Sequence, residues 1–260
     1  MNFSNYEFRC SALGKIMSPS GKWTQSNETY LHELFIGEIN GIRKEINSKY
    51  FEKGKYMEED GITLLNASLY AGRLLVKNKE RKHNGWIHGE ADCIAPDGIV
   101  YDIKNAWDRF TFGKASLTWE YEWQLRGYMW LWAKEKASLF YCLNNMPEHL
   151  LVAEEKKLFY AGNYLSIEDP DYLEACDELR YRNNYDGMPL FARFRVWDVA
   201  HCEEKIAQLQ ERITKCRQLL AEMWGDYEGE LRSNIERMGL DPVEELKTYS
   251  LTATKTVPAL

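Results

Sequence analysis

The amino-acid sequence predicts a fold of the α/β (α+β) class built around one main core. Its 260 residues are 45% hydrophobic, which is enough apolar material to fill the core of one large domain. Segments with apolar residues at helical spacing are interspersed with shorter segments rich in β-branched and aromatic residues. No internal repeat or low-complexity tract interrupts this pattern.

The helices and strands follow from these two periodicities. Helices are expected at residues 27–49, 55–78, 115–136, 170–182 and 200–223, and strands at residues 86–95, 99–106, 137–144 and 189–197. The apolar residues at 206, 209, 213, 216, 220 and 223 form one helical stripe, which we expect to pack on its own domain rather than on a partner. Beyond Gly225 the pattern weakens, so we predict a domain over residues 1–225 and a C-terminal extension over 226–260, for which a flexible conformation stays open.

Composition excludes several classes of protein. The N-terminus lacks a basic segment followed by an apolar run, and no stretch of about 18 apolar residues occurs, so a cytoplasmic protein without a membrane segment is expected. The six cysteines form no CxxC pair and no cluster with histidine, which argues against a zinc site or a cysteine-held iron–sulfur cluster. Residues 14–22 fail as a nucleotide-binding P-loop because Trp23 stands where serine or threonine is needed.

Charge is unevenly distributed along the chain. The net charge is −7, but residues 1–136 carry +1 and residues 137–260 carry −8. Five basic residues crowd one short stretch with only Glu80 opposing them: Arg73, Lys77, Lys79, Arg81 and Lys82. Two interpretations stay open, a solvated helix end or a patch that contacts phosphate groups.

The stretch GEADCIAPDGIVYDIKNAW, residues 89–107, predicts a β-hairpin with an unusual charge pattern. A three-residue loop at 96–98 pairs Asp92 with Asp102 and Glu90 with Lys104, and the two-residue period of a strand puts all four on one face. The other face, toward the core, carries Ala91, Cys93, Tyr101 and Ile103.

Two facing aspartates destabilise a strand pair unless a positive charge lies between them. A hard cation such as Mg²⁺ suits them, because it takes oxygen ligands and is commonly held by one or two carboxylates. Two alternatives are simpler: a solvent-facing hairpin in which Glu90 pairs with Lys104, or a register shifted by one residue that separates the aspartates.

Two helices supply further polar candidates. Gln124 and Tyr128 are four residues apart on the helix after the hairpin, so they share one face and can reach the carboxylates, or else form a hydrogen-bonded pair at the rim of a core. The helix before the hairpin opens with Glu58, Glu59 and Asp60, which the helix dipole favours, and one of which is a candidate third metal ligand.

In this order the elements resemble the PD-(D/E)XK nuclease superfamily, most closely its RecB-like and lambda-exonuclease-like (YqaJ-type) branches. The matching residues are Glu58 with Gly54 four positions before it, the GEAD of residues 89–92, the DIK of residues 102–104 and the QLRGY of residues 124–128. The resemblance covers residues 50 to 145. The cysteines that hold an iron–sulfur cluster in some RecB-like relatives are missing.

The resemblance implies a central mixed β-sheet flanked by helices, with a restriction-endonuclease-like core. It implies that Asp92, Asp102 and the carbonyl of Ile103 bind Mg²⁺ or Mn²⁺, with Glu58 as the helix acid and Glu59 as an adjacent competitor for that role. Lys104 would position the attacking water and offset charge on the phosphate. Gln124 and Tyr128 would orient site residues and contact the substrate strand.

The expected activity is that of a metal-dependent DNA nuclease, a stand-alone exonuclease of phage-type recombination or DNA processing in a bacterial or phage-infected cell. DNA is the expected partner, with a single-strand annealing or recombination protein and a homo-oligomer as further possibilities. The DNA-binding candidates are Arg73, Lys77, Lys79, Arg81, Lys82, Arg109 and Lys114. An endonuclease and a non-catalytic DNA-binding module with a nuclease fold are the alternatives.

Overall fold

The computed structural model describes residues 2–42, 53–54, 56–71 and 73–255. The strands are β1 (Phe8–Arg9), β2 (Lys82–His83), β3 (Ile87–Gly89), β4 (Cys93–Ile94), β5 (Val100–Asn105), β6 (Lys136–Cys142) and β7 (Phe194–Ala200). The α-helices are α1 (Leu13–Ile16), α2 (Gln25–Asn40), α3 (Glu58–Leu69), α4 (Arg109–Gly113), α5 (Trp119–Trp132), α6 (Glu148–Gly162), α7 (Pro170–Arg182), α8 (Glu203–Arg237) and α9 (Pro242–Lys255). Short 3-10 helices lie at Cys10–Ala12 and Leu190–Ala192.

The strands form two mixed sheets. The larger has the order β4-β5-β6-β7, in which β5 and β6 are parallel and the outer pairs are antiparallel. The smaller has the order β1-β3-β2, with β1 parallel and β2 antiparallel to β3. The predicted mixed sheet flanked by helices is therefore confirmed, with the addition of the second, smaller sheet.

Strand β5 lies inside the larger sheet, between β4 and β6. Its two faces pack against different helices. Tyr101 and Ile103 join the apolar side chains of α3 on one face, while Val100 joins those of α5 on the other. The approach of α3 is close: a Cβ added to Gly61 would lie 2.6 Å from Cγ2 of Ile103. The sheet is thus held between α3 and α5, and the even-numbered side chains of β5 point toward α5.

Several predicted boundaries need correction in the region that precedes β5. The predicted strand 86–95 is two strands, β3 and β4, which belong to different sheets. The break occurs because Asn78 takes over as a partner: its N–H donates to the carbonyl of Asp92 at 2.8 Å, and its side-chain amide donates to that of Ala91 at 3.0 Å. The predicted helix 55–78 ends at Leu69, since the Asn66 side chain bonds both backbone groups of Leu75 and so turns the chain.

Other elements differ in smaller ways. Helix α2 ends at Asn40 with Gly41 in the left-handed conformation (φ 61°), and residues 43–49 of the predicted helix lie outside the described residues. Helix α5 begins after its N-cap, Thr118, and β7 begins at Phe194 rather than at 189. Helices α6 and α9 were not predicted from the sequence.

Helix α8 carries the predicted apolar stripe, and Leu209, Ile213 and Leu220 are fully buried in the main core. It therefore packs on its own domain, as predicted. The helix crosses residue 225 without a break, and α9 packs back on it, with the Tyr227 and Tyr249 hydroxyls 3.2 Å apart. The division of the chain at residue 225 stays a prediction. Within the described part of the chain, the helices are all too short or too polar to cross a membrane.

Candidate active site

The hairpin has the predicted register. Cys93 pairs with Tyr101 and Ile94 pairs with Val100, while Gly98 supplies the positive φ of the loop (87°). The four residues assigned to the core face, Ala91, Cys93, Tyr101 and Ile103, are all buried. The alternative with a register shifted by one residue is therefore wrong.

The two aspartates meet at the point where β4 has ended and β5 continues. Oδ2 of Asp92 accepts a hydrogen bond from the backbone N–H of Ile103 at 2.6 Å, so this side chain replaces the missing strand partner. Asp102 is 1% exposed, which rules out the alternative of a solvent-facing pair. Lys104 contacts Asp102 rather than Glu90, and Glu90 is exposed.

Oxygen Oδ1 of Asp102 is well satisfied, whereas Oδ2 is not. Oδ1 accepts from Nε2 of Gln124 at 2.8 Å and from Nζ of Lys104 at 2.9 Å. Oδ2 lies 2.7 Å from the same Nζ, yet it is buried without a directed hydrogen bond. A buried carboxylate oxygen in this state is a position where a cation is stabilising.

Burial and mutual repulsion shift the pKa values of these groups. Burial, and then the charge of Asp102, raises the pKa of Asp92 to about 7, although Lys104 and the N–H of Ile103 act in the opposite direction. Burial alone would lower the pKa of Lys104, but Asp102 and Asp92 outweigh it and keep that pKa above its usual value. The three groups thus form one coupled charge cluster with an excess of negative charge.

Helix α5 brings Gln124 and Tyr128 to the cluster. Nε2 of Gln124 donates to Asp102 and is 2.9 Å from the Tyr128 hydroxyl, and both side chains are buried. Burial, and then Asp102, raises the pKa of Tyr128, so its hydroxyl stays protonated. The predicted contact with the carboxylates is present for Gln124, which links Tyr128 to Asp102, and a role of either residue in catalysis stays a prediction.

The glycine of the GEAD motif has a packing role. A Cβ on Gly89 would lie 2.8 Å from Sγ of Cys10 and 3.1 Å from Cε1 of Tyr128. A Cβ on Gly127, in α5, would lie 2.9 Å from the same sulfur. The two glycines therefore let α5 approach β3 closely enough for Tyr128 to reach the site.

Glu58 opens α3, and its Oε2 lies 2.8 Å from Nζ of Lys77. Its charge contributes to the raised pKa of Asp92, which places it in the field of the aspartates. Glu59, the competing candidate, is exposed. Position therefore favours Glu58 as the helix acid, and this assignment stays a prediction.

A buried polar network that sequence reasoning missed fixes the start of α3. The side-chain amide of Asn105 donates to the carbonyl of Met57 at 3.0 Å and accepts from the amide of Asn144 at 2.9 Å. Lys53 is fully buried and donates to the carbonyls of Trp107 at 2.9 Å and Asn144 at 3.3 Å, and burial lowers its pKa to about 8. The sequence did carry a signal for this network, because one asparagine ends β5 and another follows the adjacent parallel strand β6 by two residues.

The predicted DNA-binding residues do not lie on one surface element. Residues 74–81 are irregular rather than helical; Arg73 and Lys79 are exposed there, whereas Lys77 is paired with Glu58. Lys82 lies 3.8 Å from Glu80 and over the ring of Trp132. Arg81 is exposed and lies just before β2, Arg109 is the first residue of α4, and Lys114 is the C-cap of that helix.

Two of these basic residues line clefts. Arg109 lines one with Tyr185, and its guanidinium lies 5.2 Å from the ring centroid of that tyrosine. Lys114 lines a cleft of about 360 Å³ together with Tyr121, and the ring centroid of Tyr121 lies 5.5 Å from Nζ of Lys104. Tyr121 therefore contacts both this cleft and the lysine of the carboxylate cluster.

The donor set suits a hard divalent ion. Asp92 and Asp102 offer carboxylate oxygens, one of them buried and unsatisfied, and such ligands are those Mg²⁺ prefers. Over the described residues, no three side chains of histidine, cysteine, aspartate or glutamate converge as a complete metal cluster. The predicted ligand set of Asp92, Asp102, Glu58 and the Ile103 carbonyl is therefore only partly assembled, with Glu58 held by Lys77.

Comparison with known proteins places this geometry in a known fold. No family model matches the chain, and no curated protein matches it by sequence search. Among solved structures, a phage-related exonuclease from Haemophilus somnus 129PT matches with a TM-score of 0.66 and 23% identity, over 85% of this chain and 96% of that one. The chain has the fold of this exonuclease.

A second solved protein agrees. The alkaline exonuclease LHK-Exo from Laribacter hongkongensis matches with a TM-score of 0.56 and 12% identity, over 88% of this chain and 94% of that one. Its complex with dAMP matches with a TM-score of 0.55 and 14% identity, over 90% and 95% of the two chains. The resemblance to lambda-exonuclease-like PD-(D/E)XK proteins is thus confirmed at the level of the fold.

Proposed function

We propose that this chain is a divalent-metal-dependent DNA exonuclease that hydrolyses phosphodiester bonds. The observation that carries the proposal is the pair of the buried Asp102 and the half-buried Asp92, with Lys104 beside Asp102 and with Oδ2 of Asp102 lacking a directed hydrogen bond. A purely structural ion pair needs one acid and one base, and it does not need a second acid whose pKa is raised to about 7.

Each residue has a distinct task in this proposal. Asp92, Asp102 and the carbonyl of Ile103 would hold Mg²⁺ or Mn²⁺, with Glu58 as a further ligand. A bound ion of this kind lowers the pKa of water and stabilises negative charge on the scissile phosphate. Lys104 holds a fixed positive charge beside Asp102, where charge develops on the phosphate.

Gln124 and Tyr128 act on the carboxylates rather than on the reacting atoms. The Gln124 amide fixes one oxygen of Asp102 and bonds the Tyr128 hydroxyl. Asp102 is therefore held in one orientation, with its second oxygen 2.7 Å from Nζ of Lys104. This preorganisation costs nothing when substrate binds.

DNA as the substrate is supported by two matched structures, one named a phage-related exonuclease and the other solved with dAMP bound. We assign three basic side chains to contact with phosphate groups: Arg73 and Lys79, which are exposed, and Lys114, which lies in the cleft beside Tyr121. A role in phage-type recombination, with an annealing protein as partner, is part of the same proposal, as is assembly into a homo-oligomer.

The test is nucleotide release from linear duplex DNA with Mg²⁺ or Mn²⁺ and with chelator. We expect metal-dependent release that falls by about 100-fold or more in Lys104→Ala and Asp102→Asn, and that is unchanged in Lys156→Ala, an exposed lysine on α6. Undiminished activity in both site variants would sink the mechanism. Cutting of covalently closed circular DNA would assign the site to an endonuclease, and metal-independent DNA binding without cleavage would assign it to a binding module.

A further inference from the structure

Lys77 has a fixed backbone position beside the carboxylate cluster. Its neighbour Asn78 bonds the carbonyls of Asp92 and Ala91, at 2.8 and 3.0 Å. On its other side, Sγ of Cys93 lies 3.4 Å from the carbonyl of Val76. The irregular segment on either side of Lys77 therefore runs along residues 91–93, and Lys77 is presented to the site by the main chain.

The Lys77 side chain is placed so that it can both hold Glu58 and leave it. Nζ lies 2.8 Å from Oε2 of Glu58, while the side chains of Lys77 and Glu58 are 36% and 23% exposed. The hydrogen bond to Glu58 raises the pKa of Lys77, and the charges of Asp92 and Glu90 add to this. Its ammonium is thus attracted by the carboxylates of the site while its flexible stem stays in contact with solvent.

Three carboxylates and two lysines lie at this place. Lys104 pairs with Asp102 and Lys77 pairs with Glu58, whereas Asp92 accepts a hydrogen bond from the backbone N–H of Ile103. An ammonium group and a divalent ion at the same carboxylate repel each other. The ammonium of Lys77 and a metal ion therefore compete for Glu58.

We propose, resting on the function proposed above, that Lys77 is a displaceable counter-ion of the site. Its ammonium neutralises Glu58 in the metal-free protein and would compete there with a metal ion that Glu58 ligates. Lys77 therefore weakens metal binding in the absence of substrate. The released ammonium stays at the mouth of the site, where the phosphate groups of a nucleic acid strand are its natural partners.

The experiment measures Mn²⁺ binding to the full-length protein without DNA, by isothermal titration calorimetry. Lys77→Met keeps the apolar stem and removes the charge, and we expect it to tighten Mn²⁺ binding about three- to fivefold, as for the loss of one partly exposed ion pair. Lys156→Met, at an exposed lysine on α6, should leave the affinity unchanged. Lys77→Gln is the second variant and should tighten binding in the same direction.

The dependence on Glu58 separates competition from a general charge effect. In the Glu58→Gln background, Lys77→Met should no longer tighten binding, because the shared carboxylate is gone. Equal or weaker Mn²⁺ affinity in both Lys77 variants would overturn the inference while leaving the proposed function intact. Failure of the unmodified protein to bind Mn²⁺ at all would instead contradict the proposed function, and the inference with it.

Discussion

Nζ of Lys104 lies 2.7 Å from Oδ2 of Asp102, two residues earlier on the same strand, and this aspartate is 1% exposed. Residues that are two positions apart on a strand point to the same face, so β5 itself brings Asp102 and Lys104 together without help from a loop. The nearest comparable acid, Asp92, has no lysine of its own. Lys104 is therefore the main compensating charge of a buried, doubly acidic cluster.

Lys104→Met should destabilise the metal-free protein by about 3 kcal/mol, because it leaves a buried carboxylate without its cation. Urea unfolding in EDTA measures the change in the free energy of unfolding. Asp102→Asn in the same chain removes the orphaned charge and should restore a large part of the loss. If the double variant is no more stable than Lys104→Met alone, the loss comes from packing rather than from charge.

The pH dependence of stability should follow Asp92. Its pKa is raised from the ordinary value of 3.8 to about 7 in the folded protein, so the folded state binds the proton more tightly than the unfolded state between these pH values. The contribution of Asp92 to stability in EDTA therefore falls as pH rises from about 4 to 7. Asp92→Asn, which keeps an oxygen to accept from Ile103, should flatten the dependence and raise the melting temperature above pH 7. If the melting temperatures of the two proteins change with pH in the same way from pH 5 to 8, this assignment is contradicted.

Gly89→Ala should cost about 1–3 kcal/mol, since the new methyl group meets Cys10 and Tyr128 at less than ordinary contact distance. The free energy of unfolding in urea gives the cost. Adding Cys10→Ala removes the nearest atom, so the double variant should lose less than the sum of the two single variants. Strict additivity would show that the sulfur is not the obstacle.

Asn105→Ala should destabilise the protein by about 1–3 kcal/mol, because the carbonyl of Met57 and the amide of Asn144 both lose a buried partner. It should also weaken Mn²⁺ binding, since the first turn of α3 carries Glu58. Asn40→Ala, which removes an exposed amide contact at the end of α2, is the matched control with little effect. A stability loss with unchanged Mn²⁺ affinity would separate the network from the site.

Replacing both Arg73 and Lys79 by glutamine should weaken DNA binding and reduce its dependence on salt. Each lost phosphate contact lowers the slope of log affinity against log salt concentration by about 0.9. Fluorescence anisotropy with duplex DNA in a metal-free buffer measures the slope. Lys156→Gln, on α6, should leave it unchanged, and an unchanged slope in the Arg73 and Lys79 variant would remove this stretch from the DNA-binding surface.

The sequence predicted the hairpin well because its register is set locally. Pro96, Asp97 and Gly98 determine the loop, and the alternation of buried and polar residues on β5 determines the faces. The contact of Gln124 and Tyr128 with the aspartates was also within reach, since helical spacing fixes which residues share a face.

Non-local contacts decided what the sequence did not predict. The break between β3 and β4 depends on Asn78, and the end of α3 depends on Asn66, each acting across a gap in sequence. From the sequence, Lys77 was predicted to belong to a basic patch. In the structure, the path of the main chain past Asp92 turns this lysine toward Glu58. No periodicity in a single sequence reports such pairings.

The guanidinium of Arg217, on α8, donates to the carbonyls of Tyr6 and Gly85, so two early turns of the chain are clamped by a residue synthesised late. On the ribosome, β1 and the turn before β3 must wait for α8 to emerge before this clamp can close. Contacts between distant parts of a sequence are slow to form. The smaller sheet, β1-β3-β2, should therefore be completed near the end of folding. A nascent chain that stalls before α8 would therefore lack the bonds at Tyr6 and Gly85, and the protein should acquire its working geometry only as a finished molecule.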